Sequence, residues 1–256
     1  MGLLWSHLKL HWKTLLEYKT SFFLQVIFMI LNNLLTLCFW VIFFNKFKTI
    51  NQWGLNDIMC LHAMTALAYS LSLLFAGSIL ELSRHIIQGT LDSFLMLPRN
   101  TLVLILLSRM RIYACGDFIY GVSLFLMAGI TFSKLGLFLL LACYGAVVII
   151  FFQVIVQSFS FFLGDASYLA RQTMSSLMTI ALYPPTIYFG FSKLILYTVL
   201  PAAFVAFIPL TIFYELDPFL FLVLNLYVLS LFLLSYYFFI IGLKRYASSN
   251  IATFLD

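Results

Sequence analysis

Asp117 reaches deepest of the acidic residues into an apolar stretch of this 256-residue chain, and so is the first candidate for intramembrane ion chemistry. The remaining acids, Glu17, Asp57, Glu81, Asp92, Asp165, Glu215, Asp217 and Asp256, fall at the edges of apolar runs. Carriers and pumps that couple to an ion hold it at an ionisable group inside the bilayer. Acids confined to edges therefore argue against ion coupling, and Asp117 is expected to pair with Arg111 or Arg109 at the interface. His7 and His11 stand four residues apart and would share a helix face, but no glutamate accompanies them as HExxH zinc chemistry requires. No Gly-Lys dipeptide occurs, so a GxxxxGK[ST] phosphate loop is excluded and any ATP chemistry belongs to a partner. No serine has a GxSxG context. Cys38, Cys60, Cys115 and Cys143 form no CxxC pair and read as small apolar packing residues rather than metal ligands.

Two polar stripes remain. Gln25, Asn32 and Thr36, seven and four residues apart, share one helical face, and Gln153, Gln157, Ser160 and Gly164 repeat the pattern. Amides, hydroxyls and small residues on a membrane helix serve either to hold helices together or to line a path, and the spacing leaves both readings open.

The segment from Glu81 to Arg111 is the longest hydrophilic stretch. Leu80, Arg84 and Ile87 carry helical spacing into it, and Gly89 stands where a helix-terminating glycine belongs. Thr90 is then a plausible N-cap for a second short helix, with Asp92 favourable in its first turn against the helix dipole. Leu91, Phe94, Leu95 and Pro98 follow at i, i+3, i+4 and i+7. The expected result is a short rigid element with an exposed apolar face, which marks a protein partner.

The elements that must position these residues follow from composition. The chain is 64% hydrophobic and 9% charged, with a mean hydropathy of +1.07. An ordinary soluble domain is roughly 25% charged, so most of this chain is solvated by lipid. At about 20 apolar residues per span, its length allows roughly six helices and no folded aqueous domain. The predicted spans are 21–44, 58–80, 112–132, 136–164, one beginning near Thr173 and broken by Pro184 and Pro185, and 219–242. Residues 1–20 read as an amphipathic interfacial helix or as a basic flank of the first span, with no removable signal peptide evident. No internal repeat or linker divides the chain, so residues 1–256 form one transmembrane domain.

The run from Leu194 to Tyr214 decides topology, because counting it as a span reverses everything after it. With six spans and both termini cytoplasmic, Lys9, Lys13, Lys19, Arg84, Arg99, Arg109, Arg111, Arg171, Lys244 and Arg245 lie inside, ten of the 14 cations. Lys46, Lys48, Lys134 and Lys193 lie outside. A seventh span would give eight inside, so the positive-inside rule favours six. Pro201 and Pro209 agree, since two prolines in one short run suit a re-entrant hairpin over 193–217 buried against protein. The net charge of +5 is scattered over segment edges, without the dense basic face that nucleic acid requires.

The stretch from Ile87 to Pro98, IQGTLDSFLMLP, resembles the IxxGTLDxxLxxP signature in the cytoplasmic loop of ABC-2-type transporter permeases, the membrane subunits of ATP-driven exporters. The region from Tyr183-Pro184-Pro185 through Leu200-Pro201 to Pro209 is similar to the proline-marked region before that family's last span. The resemblance covers essentially the whole chain; Leu97 before Pro98 departs from the basic residue often seen there. It implies a non-catalytic permease of a bacterial inner membrane that pairs with a second permease, identical or related, and with two cytoplasmic ATPase subunits, which bind the ATP and Mg. Arg84, Ile87, Gly89, Thr90, Leu91, Asp92, Phe94, Leu95 and Pro98 would seat the coupling loop, residues 81–111, on the ATPase. Gln25, Asn32, Thr36, Gln153 and Gln157 would face the path, and spans one, two and five would close around it. Drugs, lipids, glycolipids and peptides are cargoes of such systems. The rival readings are a stand-alone channel or secondary carrier, a membrane enzyme, or an assembly factor, marked by a buried charge or a catalytic constellation.

Overall fold

A computed structural model of the protein describes residues 19–247. The expected interfacial helix over 1–20 therefore lies outside the described residues, except for its last two positions.

Among the described residues every named element is helical. Helix α1 spans Lys19–Lys46, and at 1.5 Å per residue its length of about 42 Å exceeds the hydrocarbon thickness of a bilayer. A tight turn at Asn51 and Gln52, both with positive φ, closes an antiparallel bridge between Ile50 and Trp53 and returns the chain to α2, Leu55–Ala76. A 3-10 turn over Gly77–Glu81 leads into α3, Leu82–Ile87. The one-turn α4, Asp92–Leu95, and α5, Thr101–Ser108, complete the loop that the sequence marked as hydrophilic. Helix α6 is Cys115–Met127, and α7, Leu135–Ser158, continues into the single turn α8, Ser160–Leu163. Then come α9, Ser167–Ala181, α10, Gly190–Thr198, a π-helical turn over Ala203–Phe207, α11, Ile208–Glu215, and α12, Pro218–Leu243.

Helix α2 is the hub. In its apolar stretch 83% of the residues are buried inside the subunit, against 11% for α1 and 17% for α12. The difference follows from side-chain size: Ala63, Ala66, Ala68, Ser70 and Ser72 let neighbouring backbones approach, as small residues do in membrane bundles. Helices α1 and α12 instead turn large side chains such as Phe23, Phe28, Leu35, Phe219 and Tyr237 outward. The main core lies where α2, α6, α7 and α11 meet, with the rings of Phe125, Phe138 and Phe213 in mutual contact at 4.8 to 6.2 Å. A second apolar cluster, including Ile79, Leu82, Ile86, Leu91, Ile105 and Phe239, sits at the loop end.

The prolines explain the irregular stretch before α12. Helix α9 stops at Ala181, and Pro184 is extended at φ −61° and ψ 139° before Pro185 opens a 3-10 turn. Pro201 follows the end of α10, and the axes of Gly190–Thr198 and Ala203–Glu215 differ by 69°. Pro209 has no amide hydrogen to give the Val205 carbonyl four residues earlier. The chain widens into its π turn immediately before this proline, and the Val205 oxygen faces Gly145 of α7.

Among the described residues four helical segments are long and apolar enough to cross a membrane: Phe22–Lys46, Leu55–Ile87, Phe132–Leu163 and Pro218–Leu243. The bent pair α10 and α11 makes a fifth when taken as one span. The expected third span is shorter than predicted, Ile112–Met127. The expected fifth differs more: α9 begins at Ser167, runs 15 residues, and is amphipathic. Its buried residues Ala170, Met174, Leu177 and Ala181 recur at helical spacing, while Arg171, Gln172, Ser175 and Ser176 occupy other faces.

Candidate functional site

The loop between α2 and α6 is folded against the bundle. Gly89 takes φ +70°, the left-handed turn that a glycine accepts without strain, and ends α3. The chain then doubles back, so that the Leu91 amide donates to the His85 carbonyl at 3.1 Å. This contact drives the Leu91 side chain beneath α3, where it is fully buried. The expected outward stripe is thereby corrected. Leu91 faces inward and Phe94 is half-buried edge-on to His85, while Leu95 is exposed with Ile87, Met96 and Leu97. Pro98 is also exposed. Thr90 is not the N-cap of α4: its hydroxyl contacts His85 Nδ1 at 2.8 Å, and the cap position is taken by Leu91, which has no side-chain bond to give. Asp92 does occupy the first turn, and it lies beside Tyr246, past the end of α12. Burial, reinforced by the Asp92 carboxylate, pushes the Tyr246 phenol up to about 12. Arg84 is exposed and donates through Nε to Gln88 Oε1 at 2.9 Å.

The returning segment 109–111 is stitched to the 73–81 stretch. Glu81 receives Arg109 at 2.8 Å and Arg111 at 3.1 Å. The Arg111 amide donates to the Leu73 carbonyl, its Nε to the Gly77 carbonyl, and its NH1 to the Tyr113 hydroxyl. The Ser78 amide donates to the Arg109 carbonyl, and its hydroxyl to the carbonyls of Ile105 and Leu106. The pairing of Asp117 with Arg109 or Arg111 is therefore corrected: both arginines go to Glu81. Asp117 accepts from Asn33 Nδ2 at 2.6 Å instead, linking α6 to α1.

Beside that link a cleft of about 670 Å³ opens between α1, α2, the start of α6 and α9. Asn32, Asn33 and Thr36 line it from α1, and His62, Thr65 and Tyr69 from α2. Asp117 and Tyr120 contribute from α6, and Arg171, Met174 and Ser175 from α9. Asp117 is 5% exposed and His62 1% exposed, and the imidazole Nε2 is buried without a hydrogen-bond partner. Thr65 is spoken for, donating to the carbonyls of Leu61 and Ala181.

Of the two polar stripes, only part of the first reaches this cleft. Asn32 and Thr36 line it, whereas Gln25 is exposed elsewhere on α1. Gln153 and Gln157 are buried in helix packing and do not line this cleft. The Gln157 side-chain oxygen accepts the Ser83 amide at 2.9 Å, and the Ser83 hydroxyl donates to the Gln157 carbonyl. Gln153 reaches toward the Ala170 carbonyl of α9 at 3.5 Å. Sequence reasoning missed Asn33, His62, Tyr69, Tyr120 and Arg171. An isolated histidine in an otherwise apolar span, and a tyrosine one turn after Asp117, were the available signals.

These features define an α-helical integral membrane protein with a polar cleft between its helices and an ordered loop at one end. No group of three or more His, Cys, Asp or Glu able to hold a metal occurs among the described residues. The sequence matches the family described as ABC-2 family transporter protein over residues 30–250, and the chain belongs to that family. No match is found among curated proteins or among solved structures.

Proposed function

We propose that the protein is the permease subunit of an ATP-driven exporter, working with a second permease copy or relative and with two cytoplasmic ATPase subunits that bind ATP and Mg. The observation that carries this reading is the ordered turn at Gly89, which buries Leu91 and leaves Ile87, Leu95, Met96 and Leu97 on an outward apolar face. Such a face in an aqueous loop is stabilised by a protein partner, and its anchorage to α7 and α12 gives a partner's movement a rigid path into the bundle. In this account the loop is cytoplasmic, six segments cross a bacterial inner membrane with both termini cytoplasmic, and 193–217 re-enters from outside. The short α6 and the amphipathic α9 cross as members of the bundle, α9 turning its polar side to the cleft. The cargo is an amphiphile, such as a drug, lipid, glycolipid or peptide, taken from the inner leaflet into the cleft behind α1. Purification of the full-length protein from native membranes should bring an ATPase with it, and that ATPase should respond to cargo.

A second reading is favoured by Asp117, which is buried beside the cleft where a coupling ion would bind. A stand-alone carrier would transport on an ion gradient in vesicles without any ATPase. Transport that requires ATP and a co-purified ATPase excludes it.

A further inference from the structure

The recognition chemistry of the cleft can be taken further, resting on its role as the cargo site. Asp117 has one hydrogen-bond donor among the described residues, the neutral Asn33 amide at 2.6 Å, and no cation within 4.0 Å. A buried carboxylate with one neutral donor retains acceptor capacity and lacks a counter-ion. His62 Nε2, on the same cleft, is likewise buried and unpartnered. Two arginines line the cleft, and they differ. Arg111 is committed to Glu81, Tyr113 and the Gly77 carbonyl. Arg171 on α9 is exposed and has no carboxylate within 4.0 Å among the described residues, although its charge is felt by Asp165. Tyr69 and Tyr120 add aromatic faces of the kind that attract ammonium groups, and Met29, Met174 and Met178 add adaptable apolar surface for an alkyl chain.

We infer that the cleft selects an amphiphile with a zwitterionic headgroup, its ammonium held at Asp117 and its anionic group at Arg171. A singly charged amphiphile would leave one of the two protein charges without a partner. A neutral one would leave both, and the desolvation cost of an unpaired charge would fall on the buried Asp117, since Arg171 is exposed.

The test uses the purified full-length protein in nanodiscs of neutral glycolipid and three radiolabelled probes with the same chain: dodecylphosphocholine, dodecyltrimethylammonium and dodecyl sulfate. Binding is corrected with empty nanodiscs. The phosphocholine should bind about tenfold or more tighter than either singly charged probe, as charge-assisted contacts at both ends require. Asp117→Asn should weaken the phosphocholine and the trimethylammonium probe by about tenfold and leave the sulfate unchanged. Arg171→Gln should weaken the phosphocholine and the sulfate and spare the trimethylammonium. Sulfate binding that survives Asp117→Asn separates charge recognition from damage to the α1–α6 pair, which would weaken every probe. Equal binding of all three probes, or variants that weaken all of them alike, overturns the inference. The two proposals fail separately. An ATPase that co-purifies and responds to other amphiphiles, with no probe bound, sinks the zwitterion site alone, whereas selective probe binding without any ATPase sinks the exporter reading alone.

Discussion

Gly145 of α7 lies so close to the Val205 carbonyl that a methyl group added at this glycine would come within 2.4 Å of the oxygen and 2.9 Å of the Ala68 Cβ. Three elements, α2, α7 and the π turn, thus meet at one residue without a side chain. Gly145→Ala is expected to destabilise the protein by about 1–3 kcal/mol through overpacking, because a backbone carbonyl cannot step aside as a flexible side chain would. Gly136→Ala in the same helix meets nothing within 4 Å and should change stability by less than about 1 kcal/mol. Thermal unfolding of the two variants in mild detergent checks the contrast.

The two arginines on Glu81 should contribute unequally. The Arg109 side chain is 59% exposed and Arg111 23% exposed, and exposed ion pairs are worth about 0–1 kcal/mol. Arg109→Gln should therefore stay within that range. Arg111→Gln loses charge-assisted bonds to Glu81 and the Gly77 carbonyl and should cost about 1–3 kcal/mol. Added salt should erase most of the Arg109 contribution and less of the Arg111 one, which unfolding at two ionic strengths will read.

Topology gives a sharper outcome. On a cysteine-free background, Ser93→Cys should react with an impermeant thiol reagent from the cytoplasmic side and Lys193→Cys from the outer side. Both positions are exposed. Labelling of the two from the same side would overturn the six-span arrangement and the re-entrant assignment of 193–217.

Part of this architecture is encoded locally in the chain and part is not. The apolar runs of α1, α2, α7 and α12 are long enough that length and composition fix them, and Gly89 is legible because only its position after Ile87 matters. Leu91 was misplaced because the spacing of Leu91, Phe94 and Leu95 defines one face only for a continuous helix, and the turn at Gly89 rotates Leu91 inward first. Asn32 and Gln157 look alike in sequence, since a polar residue on an apolar helix serves a cleft or a neighbouring helix equally well; the neighbours decide. The partner of Asp117 was likewise a tertiary matter. The chain returns along Gly77 and Ser78, which carries Arg109 and Arg111 to Glu81, and the carboxylate meets Asn33 from α1.

The central claim is that the outward face at Leu95 binds an ATPase, and the most direct measurement is the ATPase recovered per permease when the full-length protein is purified from native membranes, with and without Leu95→Asp. Leu95 is 39% exposed, so a charge there is tolerated by the fold but would be buried by a partner at a desolvation cost of several kcal/mol. The account predicts an ATPase in fixed proportion to the parent protein and at least about a tenfold loss with the variant. An unchanged ratio in the variant, or no ATPase with the parent, would contradict it.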